Sequence, residues 1–167
     1  MSKYNTIISN DISNGEGICV SFFVQGCPHH CPGCFNEETW DFNYGHEYTE
    51  DIKWKIIKLI SANGIQRNFS ILGGEPLALQ NIDMTYDIVK AVRHAYPDII
   101  ITLWTGYIFD ELIKQSNEKI LDILDMIDVL IDGPFIEKEK DLSLKLRGSR
   151  NQHIRKKVNE KWEICDD

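Results

Sequence analysis

Apolar runs of two different periods alternate along the chain. GICVSFFVQG, residues 17–26, is short, rich in β-branched and aromatic side chains and ended by glycine, which predicts a strand. In TEDIKWKIIKLISANG (49–64), Ile52, Ile56, Leu59 and Ile60 fall on one helical face, with Thr49 placed to cap the start and Gly64 to mark the stop. NFSILGG (68–74) predicts a second strand. NIDMTYDIVKAVRHAYP (81–97) sets Ile82, Tyr86, Val89, Val92 and Tyr96 at helical spacing before Pro97 closes it. DIIITLWTG (98–106) predicts a third strand, IFDELIK (108–114) and EKILDILD (118–125) more helix, and MIDVLIDGPF (126–135) a fourth strand. The last stretch, from Arg147 on, reads as a loop with a terminal strand at KWEI (161–164).

Strands alternating with helices imply right-handed βαβ units and a mostly parallel sheet, so the fold class is α/β. At 167 residues, one domain spanning 1–167 is expected. That length supports a core but is short for a closed (β/α)8 barrel, which takes about 250 residues. A partial, open (β/α) barrel follows. In such sheets the loops after the strand C-termini build the site. Here they are a cysteine-rich loop, GGEP (73–76), TGY (105–107) and DGPF (132–135). Chemistry is expected at that end.

The cysteine loop, FVQGCPHHCPGCFNEETW (23–40), places Cys27, Cys31 and Cys34 within eight residues. Thiolates at this spacing suit three corners of a compact iron–sulfur cluster. A [4Fe–4S] cluster usually takes four cysteines, so three leave one iron open to an outside ligand. A structural zinc site, with Cys19, His29, His30, His46 or Cys165 as the fourth ligand, and a redox or merely structural cysteine cluster are the other readings. GGEP adds two glycines, which let backbone approach a ligand closely, and then a carboxylate able to hold an ammonium group. Its place one βα unit beyond the cysteines favours the cluster. Cys19, inside an apolar strand, reads as a buried small hydrophobe, and Cys165 as a tail residue.

Composition narrows the classes further. A net charge of −8 argues against a nonspecific hold on nucleic acid or an anionic membrane. From Lys145 to Lys161 basic residues gather (Lys145, Arg147, Arg150, Arg155, Lys156, Lys157 and Lys161), suggesting a local basic face. The apolar runs are strand-sized, and the opening MSKYNTIISNDISNGEG lacks the apolar core of a signal peptide. Clustered cysteines in such a chain point to metal chemistry and a cytoplasmic location.

Cys27-x3-Cys31-x2-Cys34 followed by Gly73-Gly74-Glu75 resembles the radical S-adenosylmethionine (SAM) superfamily. Within it, GCPHHCPGCFNEETW with GGEP, WTGY, DGPF and RGSRNQ resembles the activating proteins of anaerobic ribonucleoside-triphosphate reductases. The resemblance implies a [4Fe–4S] cluster on Cys27, Cys31 and Cys34, with SAM chelating the open iron. It implies that Gly73, Gly74 and Glu75 line the methionine end, Glu75 or nearby backbone groups accepting from the amino group. It places Gly33, Cys34 and Phe35 along the adenine and Asn36 near SAM, with Asp132 facing the site. Gly33 stands where many superfamily members carry an aromatic, and Asp132-Gly133-Pro134 stands where larger activases carry Asp-x-Lys, so no lysine role carries over. His29 is a family position, either a donor behind the cluster or a turn cap. Thr102, Trp104, Thr105 and Tyr107 are read as ribose or substrate contacts, with core packing the alternative for Trp104 and Tyr107.

The implied reaction is reductive cleavage of SAM to methionine and a 5′-deoxyadenosyl radical, fed by an external low-potential electron donor. Length bears on the substrate independently. An open half-barrel sequesters a small molecule poorly, whereas a loop of another protein fills the gap. The expected partner is the catalytic subunit of an anaerobic ribonucleotide reductase, losing hydrogen from a glycine Cα. A small radical-SAM enzyme acting on a metabolite or modified nucleoside, and a zinc-binding interaction module, are the alternatives.

Overall fold

Alternate residues of the central strands face different surroundings, and that alternation sets the architecture. In the computed structural model, which describes residues 2–166, the strands are β1 (Lys3–Asp11), β2 (Cys19–Val24), β3 (His46–Glu47), β4 (Asn68–Gly73), β5 (Ile101–Trp104), β6 (Val129–Asp132), β7 (His153–Val158) and β8 (Lys161–Ile164). The helices are α1 (Glu50–Ile60), α2 (Ile82–Ala95), α3 (Phe109–Gln115) and α4 (Glu118–Met126). All eight strands form one sheet in the order β3-β1-β2-β4-β5-β6-β7-β8. The pairs β2–β4, β4–β5 and β5–β6 are parallel, and antiparallel strands extend both edges. β3 and β8 do not meet, so the sheet is an open, partial barrel.

Val20, Phe22, Val24, Phe69, Ile71, Ile101, Leu103 and Leu130 form the helix-covered side, packed in one buried cluster with Ile56, Ile88, Val92 and Ile123 of the helices. Parallel register aligns Ser21 with Ser70, Ser70 with Thr102 and Thr102 with Val129 across the other side. That row is small and buried, and Cys19 lies with it at 0% exposure, as expected of a small hydrophobe. The segment at Gly15 covers this row closely, since a Cβ there would lie 2.5 Å from Ser70 Oγ and 2.7 Å from Cys19 Sγ.

The predicted strands and helices are present, including the terminal strand at 161–164. Thr49 caps α1, accepting from Ile52 N, although the helix stops at Ile60, before Gly64. β1, β3 and β7 were not anticipated. β1 is an outer strand with alternately half-buried and exposed residues. β7, HIRKKV, buries only Ile154 and owes its strand form to pairing with β6. Such an edge has no strong local signal, because tertiary pairing decides it.

The end of the sheet away from the cysteines is closed by two arginines. Arg67 donates to Asn10 Oδ1 and to the carbonyls of Leu59, Ala62 and Ile65. Arg93 donates to the carbonyls of Met126, Pro97 and Ile99 and pairs with Asp128. Each gathers several carbonyls from the ends of helices and the loops that follow them. Arg93→Ala is expected to lower stability in urea unfolding by about 2–3 kcal/mol, since it strands several acceptors at once. Iron uptake by the distant cysteine loop should stay unchanged.

Candidate functional site

The chain leaves β2 at Gln25 and returns to the same place at Thr39–Trp40, so the cysteine loop is closed at its base. Gly26 N donates to Thr39 O at 2.6 Å and Cys27 N to Trp40 O at 3.0 Å. The Gln25 amide, buried at the neck, donates to the carbonyls of Glu38 and Asp41. Inside the loop Cys34 N bonds Cys31 O, and Asn36 N donates to Cys34 Sγ at 3.4 Å. Cys27, Cys31 and Cys34 line one cavity, with Asn36, Gly73, Gly74, Glu75 and Gly133 also in its wall. Burial pushes the Cys27 thiol up to about 11, so a bound metal must displace its proton.

Among the described residues no three His, Cys, Asp or Glu side chains gather tightly enough to hold one metal ion. A cubane asks for less convergence, because each thiolate takes a different iron. Three thiols around one cavity, with a backbone N–H already turned to sulfur, fit such a cluster.

Glu75 joins this loop to the others. Its side chain is 1% exposed, and a buried carboxylate is costly unless fully hydrogen-bonded. Oε1 accepts from Gly106 N and from His29 Nε2, both at 2.7 Å, and Oε2 from Leu77 N at 2.9 Å. Thr105 Oγ1 donates to the same carboxylate at 2.9–3.0 Å. The His29 ring also meets Tyr107 edge-on, with centroids 4.6 Å apart. Asn81, buried behind, donates to the carbonyls of Gln25, Gly26 and Glu75. Three of the four predicted loops are therefore tied to one side chain.

The pattern of the family described as "4Fe-4S single cluster domain" matches residues 13–155. The anaerobic ribonucleoside-triphosphate reductase-activating protein of Escherichia coli K12 is 40% identical over 91% of this chain and 97% of its own length. That of Vibrio cholerae is 39% identical over 91% and 96%, and that of phage T4 is 36% identical over 96% and 97%. The chain belongs to this family of 4Fe-4S activating proteins. Family membership makes it a radical-SAM activating enzyme, with a [4Fe–4S] cluster and SAM as cofactors.

Several family motifs turn out to have work inside the protein. Gly73 (φ +102°) and Gly74 line the cavity, yet the close approach they permit is to β2 and its loop. A Cβ on Gly73 would lie 2.9 Å from Phe23 Cα, and one on Gly74 2.4 Å from Gly26 O. Asp132 has partners of its own within the protein. It does not line the cavity; its carboxylate, 2% exposed, accepts from Phe109 N at the start of α3 and from Arg155 Nε, both at 2.8 Å. Gly133, next in the chain, takes the place at the wall.

RGSRNQ zips the DGPF loop to β7. Ser149 Oγ accepts from Ile136 N, Asn151 Nδ2 donates to Pro134 O, and Gln152 Nε2 to Gly133 O. The expected basic face is largely dispersed: Arg155 pairs with Asp132, Lys156 with Glu16, and Arg147 bonds Gln152 O and Asp166 O. Trp104 Nε1 donates to Leu146 O, so that ring is a wall, and Thr102 is buried in β5. Gly33 packs on Glu137, while Phe35, 54% exposed, tilts against Phe135. Gln25, Asn81 and the Thr105 anchor role were missed, because a polar residue beside a strand end gives no sign of which carbonyls it will meet.

Glu75→Gln is expected to cost about 2–4 kcal/mol of stability, since an amide cannot accept from all four donors. Iron retention and SAM affinity should fall together. Loss of SAM affinity alone, with stability unchanged, would assign the carboxylate to the ligand.

Proposed function

We propose that Cys27, Cys31 and Cys34 hold the [4Fe–4S] cluster and that the chain generates a glycyl radical on the catalytic subunit of an anaerobic ribonucleoside-triphosphate reductase. The observation that carries this reading is the joining of the three-cysteine loop to the GGEP loop through His29 and Glu75 at the mouth of the parallel sheet. When bound, the reduced cluster and SAM supply a 5′-deoxyadenosyl radical able to take hydrogen from a strong C–H bond.

Residues of the chain then have separable tasks. The backbone of Gly73 and Gly74 receives the methionine end, and Glu75 acts through the loops it holds. Gly33, Phe35 and Asn36 follow the nucleoside. Leu72, Trp104 and Phe135, shared by the cysteine cavity and a second cavity beside it, restrict water at the reacting centre. The second cavity runs outward past Ser13, Asn14, Arg147 and Gly148, on the open side of the sheet. A glycine-bearing loop of the partner enters there and supplies the missing wall.

The electron donor is external and of low potential, and the setting is cytoplasmic. Among the described residues no helix is long and apolar enough to cross a membrane.

The test mixes the reconstituted protein with reductant, SAM and the reductase catalytic subunit under anaerobic conditions. A doublet radical signal should appear on the subunit, and deuterium at the target glycine Cα should pass into 5′-deoxyadenosine. Cys27→Ala, Cys31→Ala or Cys34→Ala should hold no intact cluster and produce neither. SAM cleavage at one slow rate with or without the subunit, and no radical on it, would transfer the chemistry to a small-molecule substrate.

A further inference from the structure

Trp40 stands at the closing point of the cysteine loop, its carbonyl accepting from Cys27 N. Trp40 lines the cavity of the three cysteines and also a neighbouring surface cavity with His30, Asp41, Phe42 and Asn43. The imidazole of His30 lies flat on the indole, with centroids 4.6 Å apart and 9° between the planes. His30 adopts a φ of +47° in this position, a conformation uncommon for a residue with a side chain. The indole is thus held in a fixed orientation.

The indole N–H of this fixed ring has no acceptor. Nε1 is buried from solvent and bonds no protein group. A buried, unmade hydrogen bond costs about 1–3 kcal/mol, and a phenyl ring would give the same apolar wall without that cost. Neighbouring donors are already engaged: Trp104 Nε1 by Leu146 O, His29 Nε2 and Thr105 Oγ1 by Glu75. The cavity takes both the cluster and SAM, and Trp40 closes the loop that carries the three cysteines, so the cluster sulfurs are the acceptors nearest its place in the chain.

We infer that the Trp40 indole N–H donates a hydrogen bond to the iron–sulfur cluster, at a sulfide or a cysteinyl sulfur, and raises its reduction potential. The inference rests on the reading that the cysteines hold a cluster. An N–H dipole aimed at sulfur stabilises the added negative charge of the reduced state more than it stabilises the oxidised state. With Asn36 N on Cys34 Sγ, the loop then presents a backbone donor and a side-chain donor. His30 is the positioning residue, setting the indole plane by stacking. The consequence is an easier electron transfer from the external donor.

The experiment uses the full chain, reconstituted anaerobically, with 15N placed in the tryptophan indoles. Pulsed EPR of the reduced cluster should show a 15N coupling that is lost in Trp40→Phe and kept in Trp54→Phe, whose ring is exposed on α1. In an EPR-monitored redox titration of Trp40→Phe, the reduced-to-oxidised ratio at a fixed potential should fall about three- to tenfold, the worth of one hydrogen bond. If Trp40→Phe takes up no iron, persistence of the coupling in each of Trp54→Phe, Trp104→Phe and Trp162→Phe assigns it to Trp40, the remaining tryptophan of the four, and its loss in any of those three overturns the inference. A normal cluster with no indole coupling, or an unchanged potential in Trp40→Phe, overturns it as well. A wild-type chain that binds no iron at all overturns the cluster reading instead.

Discussion

A single buried carboxylate holds the functional end of this protein together. Glu75 lies at the mouth of the sheet, removed from water, and such a group is tolerated only with its acceptor sites filled. The donors come from the cysteine loop (His29), the loop after β5 (Thr105 and Gly106) and its own turn (Leu77 N). Loops lose conformational freedom when they order, so three of them meeting at one charged acceptor is an efficient way to fix a site. The parallel strands deliver the loops to one end, and Glu75 sets their spacing. The GGEP motif is therefore as much a structural joint as a ligand surface.

The four loops around the cavity were legible because their strands are. Apolar runs of strand length, separated by helical periodicity, place loops 26–40, 73–76, 105–107 and 132–135 on one side of a parallel sheet whatever their contents. The cysteine spacing suited a cluster and left zinc open, GGEP one βα unit on favoured the cluster, and the resemblance implied it. What stayed hidden is tertiary. Asp132 looks like a site residue from its loop, but it bonds the start of α3 and an arginine from β7, a strand with almost no apolar signal of its own. Gly73 and Gly74 look like room for a ligand, and the space they leave is filled by β2 and Gly26. The basic run 145–161 looks like a face, and its members are spread over the loop before β7, the two sides of β7 and the start of β8.

The sheet does not close between β3 and β8, and two adjoining cavities at the ends of the parallel strands give the half-barrel an interior that its own side chains do not fill. That interior suits an enzyme whose substrate is part of another protein. On the proposed reading, the partner's loop would contribute the missing wall only while it is bound and would sequester the reactive centre when its target is present. A rigid rim is then required, because the hydrogen to be taken must meet the radical within a narrow range of distance. The Glu75 network is the feature that supplies the rigidity.

The central claim concerns Glu75 as the joint between loops, and amide hydrogen exchange tests it most directly. Gly106 and Leu77 lie outside the strands and helices, where backbone N–H groups ordinarily exchange fast, yet both donate to the buried carboxylate. In the anaerobic, cluster-loaded protein without SAM, these two amides should exchange as slowly as those of β4 and β5. Exchange at the rate of open loop amides, with the strands still protected, would contradict the account and leave the carboxylate free for a ligand.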